Sequence, residues 1–130
     1  MSENEKRIKE RSFDFAIEII KLIQTLPKNT AGFELGKQIL RSGTSIGANV
    51  EEATGARTKK EFINCMNIGK REARETKYWL RLLQASALLN NSKIQPLLDE
   101  NEIIIRILTS IVKTSENNLS ASLCLRIISP

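Results

Sequence analysis

The sequence predicts an all-α fold, an antiparallel up-down four-helix bundle. Apolar residues recur with a 3.6-residue period in four long segments. Only six glycines and three prolines interrupt them. Neither alternating strand patterns nor hairpin turn signals occur. At 130 residues the chain is long enough for one core and not for two. Hydrophobic residues make up 41% and charged residues 27%, a globular balance rather than a disordered one.

The first helix is expected from about Glu5 to Leu26. Phe15, Ile19, Leu22 and Leu26 follow one line, and Phe13, Ile17 and Ile20 form a second beside it. Pro27 ends it. The second is expected from about Ala31 to Gly55, with Leu35, Ile39, Ile46, Val50 and Ala53 on one line. The third opens on Thr58-Lys-Lys-Glu61, a capping box in which hydroxyl and carboxylate each satisfy a free backbone donor. Phe62, Met66, Gly69, Ala73, Leu80 and Leu83 carry it to about Leu89, before the break at Asn90-Asn91-Ser92.

The fourth helix is expected to start near Pro96, a residue favoured in a first turn, and to fade around Glu116. Ile104, Leu108 and Ile111 give its apolar line, widened by Ile103, Ile105, Ile107 and Val112. Residues 1–116 thus form the bundle. Residues 117–130 form a tail, with a weak pattern in Leu119, Leu123 and Ile127, that reads either as a short helix or as a disordered segment. Helices one and four carry apolar faces wider than the ~100° stripe one bundle core requires. The excess reads either as a well-filled core with some surface leucines or, as the favoured reading, as a second buried face and so a homo-oligomer.

Composition also removes function classes. Histidine is absent, and with it the commonest general base and metal ligand at neutral pH. Cys65 and Cys124 fit neither a CxxC motif nor a disulfide framework, and suit a reducing compartment. The N-terminal MSENEKRIKERS has no apolar h-region behind its charges. No stretch approaches the ~20 apolar residues of a membrane span, so a cytoplasmic location without membrane contact is expected. No catalytic, cofactor-binding or metal-ligating residue is assigned, and no cofactor is expected; the protein reads as a non-enzyme.

Two stretches imitate catalytic motifs. Gly43-Thr-Ser-Ile-Gly47 resembles a phosphate loop, but its glycines are one residue too close and Ala48 stands where the lysine belongs. Glycines four apart share a helix face and let another backbone approach. Close packing must then offset up to ~1 kcal/mol of lost propensity each. The Ser42–Ser45 hydroxyls compete for backbone groups and favour a kink. Glu51 and Glu52 point ~100° apart on a helix and cannot serve one reacting atom. Glu52 is expected to pair with a basic residue of the third helix, with Asn49 as another internal tie, while Glu51 is solvated.

The net charge of +5 is local. Arg57 to Arg81 holds eight basic residues against Glu61, Glu72 and Glu75, and the rest of the chain balances. Lys70, Arg74, Lys77 and Arg81 fall on one helical stripe, extended by Lys59 and Lys60 and flanked by Arg71. Such a stripe suits an RNA or DNA backbone. The competing reading is a solvated face with weak intrahelical pairs to the three glutamates. Aromatics are only 5%, too few for base-stacking platforms, so binding should read backbone and shape more than sequence. Tyr78 and Trp79 are adjacent, so one packs and the other sits at an edge or interface; Trp79 is the candidate subunit anchor.

These residues resemble a known signature. Arg41, Ser45-Ile46, Asn49, Glu52 and Gly55, then Lys59-Lys60-Glu61-Phe62, are similar to the conserved block of a bacterial four-helix-bundle family. It is also called the 23S rRNA intervening-sequence protein, or S23 ribosomal protein, family. Ser12-Phe13-Asp14-Phe15-Ala16 and Glu75-Thr76-Lys77-Tyr78-Trp79-Leu80 extend the likeness, which spans about residues 8 to 115. The resemblance implies an up-down bundle assembled as ring-like homopentamers. Some members are encoded within segments inserted in 23S rRNA genes. A related branch serves as the accessory protein of diversity-generating retroelements, binding nucleic acid and a reverse transcriptase. The family has no catalytic residues to carry over. Many members have proline at Gly47, glycine at Ala53 and alanine at Glu51, departures that concern the local backbone and not the fold. A partner-protein scaffold with no nucleic-acid role is the alternative reading.

Overall fold

The computed structural model describes residues 1–128, with side-chain surroundings through residue 125; the Ile127 side chain and residues 129–130 lie outside the described residues. Four helices follow in order: α1 (Glu3–Ile23), α2 (Thr30–Thr54), α3 (Lys59–Ala85) and α4 (Asn91–Ile128). Each packs on its sequence neighbour, and α1 meets α4 to close the bundle. The direction alternates: Ile19 lies against Gly43, and Ser12 against Gly47. Across α3 and α4, Gln84 meets Gln95 while Ala73 meets Asn101. The all-α, up-down reading of the sequence is borne out.

The core is aliphatic. Ile8, Phe15 and Ile19 of α1 meet Ile39, Ile46 and Val50 of α2, Met66, Leu80 and Leu83 of α3, and Ile94, Ile104 and Leu108 of α4. Burying one such side chain contributes about 1.5–3 kcal/mol relative to leaving it in water. One buried amide crosses this core: Asn101 Nδ2 donates to the Ala73 carbonyl at 2.8 Å, tying α4 to α3 in register.

The helix ends follow their capping chemistry. Ser2 and Glu5 form a capping box on α1, and Asn29 caps α2 through Gly32 N–H. Thr58 caps α3 as expected, accepting from Glu61 N–H at 3.1 Å. The Glu61 carboxylate reaches one residue further back than a simple box, to Arg57 N–H.

Several boundaries differ from expectation. Helix α1 stops at Ile23, short of Leu26, because the chain tightens into turns ahead of Pro27. Helix α3 stops at Ala85, because Ala87 takes a left-handed conformation, φ 57°, that no helix continues. Helix α4 begins at Asn91 rather than Pro96: Asn90 caps it, its side chain accepting from Ser92 N–H and its carbonyl from Lys93 N–H. Pro96 then lies in the second turn. The partner it cannot supply is the carbonyl of Ser92, an exposed residue that water reaches. Nor does α4 fade near Glu116; it continues as one helix to Ile128.

The glycine-containing stretch of α2 lies within one uninterrupted α-helix. The hydroxyls of Ser42, Thr44 and Ser45 bond back to the carbonyls of Gln38, Leu40 and Arg41, which satisfies them without opening the ladder. The packing reading of the glycines holds. A Cβ on Gly43 would sit 2.9 Å from Ile19, and one on Gly47 would sit 3.3 Å from the Ser12 carbonyl oxygen. Helix α1 crosses α2 at these two points.

Candidate nucleic-acid interface

Helix α3 buries Ile63, Met66, Gly69, Ala73, Thr76, Leu80 and Leu83. At about 100° per residue, that leaves Arg71, Arg74, Tyr78 and Arg81 facing outward, with Lys70 nearer the α4 flank. Lys59, Lys60, Arg71, Arg74 and Arg81 are exposed, and Lys70 is half-buried. Among the described residues none of these six carries an ion pair.

Lys77 departs from the expected stripe. It turns to α4 and pairs with Glu102 at 2.5 Å, so it fastens two helices together. Arg106 stands one turn beyond Glu102 on α4 and is exposed. That places it on the flank facing α3, a basic residue the charge count of the third helix missed.

The three glutamates of the basic segment do not neutralise their own helix. Glu61 caps, as described above. Glu72 and Glu75 both turn to α2 and take the two ends of the Arg41 guanidinium, at 3.2 Å and 2.5 Å. Glu75 also accepts from Trp79 Nε1 at 3.3 Å. The Arg41 hydrogen bond, aided by that of Trp79, holds the Glu75 carboxyl below the usual carboxylate range against a desolvation effect that opposes it. The Glu75 hydrogen bond raises the Arg41 guanidinium in turn. The arginine is therefore a structural cation.

Glu51 is exposed, as expected, and lies 3.5 Å from Lys9 of α1. Glu52, expected to pair with α3, makes no ion pair among the described residues and is exposed. The helix carries Glu51 toward α1 and leaves Glu52 outward. Asn49 binds locally, Nδ2 donating to the Ser45 carbonyl. Of the two adjacent aromatics, Trp79 packs against the bundle core and Tyr78 is the outward one, 54% exposed. Their rings meet edge to face, centroids 5.2 Å apart.

The apolar surface lies elsewhere. Phe13, Ile17 and Ile20 of α1 remain exposed, as do Phe33 and Leu40 of α2. The second apolar line of the first helix is thus a surface strip. Antiparallel packing sets it beside Leu40 on the outer face of the α1–α2 pair. On α4, Ile103 is exposed, while Ile105 and Ile107 pack partly into the core. No described helix is long and apolar enough to cross a membrane.

The model of the 23S rRNA-intervening sequence protein family matches residues 4–110. The chain belongs to that family. A solved structure agrees: a protein with unknown function from the S23 ribosomal protein family of Bacteroides thetaiotaomicron. It is 39% identical, with a TM-score of 0.80, and the alignment covers 85% of this chain and 98% of that one. No curated protein matches the chain. The 23S rRNA-intervening sequence protein match ends within α4, so the last turns of that helix lie beyond it.

Proposed function

We propose that this family member is a non-enzymatic, homo-oligomeric bundle whose α3 face binds the backbone of RNA or DNA. One observation carries the reading: among the described residues, seven of the eight cations of the basic segment carry no ion pair, while its glutamates are engaged elsewhere. Intrahelical pairing, the ordinary fate of a mixed charge run, is absent there among the described residues. Lys59 to Arg81 extends about 33 Å along the helix at 1.5 Å per residue, a length suited to several phosphates. Arg106 widens the face from α4. The apolar strip of Phe13, Ile17, Ile20 and Leu40 supports self-association. The pentameric ring implied by the sequence resemblance is the form we propose for it, in a cytoplasmic setting.

The test is binding to a structured RNA at rising salt. Affinity is expected to fall steeply, and the slope to become shallower by about 0.7–0.9 per phosphate contact removed when Lys70, Arg74 and Arg81 become Gln. Lys77→Gln serves as a contrast, because its charge is already engaged by Glu102. Absence of binding at low salt excludes the reading. The strip on α1 and α2 also favours a second one, a scaffold for a partner protein; nuclease-insensitive capture of one defined partner, without RNA binding, would select it.

A further inference from the structure

From the placement of Tyr78 we infer that the α3 face prefers unpaired nucleic acid, with Tyr78 stacking on one base while arginines hold the flanking phosphates. The inference rests on the nucleic-acid reading above and adds to it the class of strand. Tyr78 is the large aromatic that the α3 face exposes, at 54%. Arg74 precedes it by four residues and Arg81 follows by three, so both side chains flank the ring at about 5–6 Å between Cβ atoms. Arg71 stands one turn beyond Arg74. A π face among unpaired cations is what a single strand requires: each unpaired base offers a ring and each nucleotide a phosphate. A duplex keeps its base faces stacked inside and gives such a ring nothing to cover.

The ring is also held in place. Its edge-to-face neighbour Trp79 packs on the core and donates Nε1–H to Glu75, which Arg41 fixes in turn. A platform whose orientation is set beforehand loses less freedom when a base arrives. Aromatic scarcity in the sequence argues against base-stacking platforms, but the fold exposes one ring on this face, Tyr78. Stacking is tolerant of base identity, so strand type and not sequence is what the site selects.

The experiment uses the full chain and compares a fluorescent uridine oligonucleotide, the matching deoxythymidine oligonucleotide, and a blunt RNA duplex. Tyr78→Ala and Tyr78→Leu are expected to weaken single-strand binding by about 5- to 150-fold and to leave duplex binding unchanged. Tyr78→Phe should retain it. Trp79, the sole tryptophan, should lose fluorescence when the wild-type chain takes up the single strand. The RNA and DNA arms decide which sugar is preferred. Equal losses for both strand types in the Tyr78 variants, or no loss for either, overturn the stacking role while leaving backbone binding standing. A change in oligomer size in both Tyr78→Ala and Tyr78→Leu makes Tyr78 a subunit contact and overturns it as well. If no nucleic acid binds at low salt, both readings fall together.

Discussion

Thr76 Oγ1 lies 2.9 Å from Ser42 Oγ, and neither residue is exposed to solvent. This hydroxyl pair joins α3 to α2 in the middle of an aliphatic core, with the Gln38 and Glu72 carbonyls as further acceptors. Thr76→Val keeps the shape and removes one bond, so it is expected to cost about 1 kcal/mol. Combining it with Ser42→Ala should cost less than the sum of the two single changes, because neither variant then leaves a hydroxyl without its partner. Urea denaturation of the double-mutant cycle measures this.

Acid should weaken the α2–α3 tie. The Glu75 carboxyl titrates below its unfolded value, so the stability it contributes is complete above the ordinary carboxylate range, near pH 4.5. It is lost as pH falls through the lowered folded value. The pair is partly exposed, so the contribution is small. Trp79 fluorescence, which senses Glu75 directly, should titrate in the same acidic window. Arg41→Gln should move that titration to higher pH.

The glycines separate by what faces them. Gly43→Ala drives a Cβ to 2.9 Å from the branched Ile19 side chain and should destabilise by about 1–3 kcal/mol. At Gly69 the nearest atom would be 3.5 Å away, an ordinary contact. Gly69→Ala should therefore keep most of the helix-propensity gain of up to ~1 kcal/mol. Thermal melts of opposite sign would establish the contrast; a stabilised Gly43→Ala would contradict it.

Ala87 occupies the left-handed position that ends α3. An L side chain there costs about 1 kcal/mol, and Ala87→Gly should recover part of it. A rise in the melting temperature with no change in helical content is the expected result.

Much of the fold was legible because periodicity is a local property. The lines Phe15–Ile19–Leu22 and Ile104–Leu108–Ile111 became core, and Thr58 became a cap. What the sequence concealed were relationships set by tertiary geometry. Arg41 and Glu75 are 34 residues apart, and no spacing rule joins them. Lys77 shares a stripe with Arg74 but lies near enough to α4 to meet Glu102. Glu51 and Glu52 differ only in which flank of α2 carries them. The end of α3 was missed because alanine carries no sign of a left-handed cap, whereas glycine would have. The continuation of α4 was missed because its apolar spacing weakens where no neighbour remains to be packed against.

That continuation has a consequence for how protection is distributed along one helix. Residues 120–125 are exposed, so their helical form draws on intrahelical bonds alone, and an isolated helix of so few residues is marginal in water. Amide hydrogens there should exchange with deuterium quickly, whereas those around Ile104 and Leu108 wait for global opening. A single 38-residue helix thus spans nearly the full range of protection the molecule has, and a bound neighbour on its free end would register as slowed exchange confined to those turns.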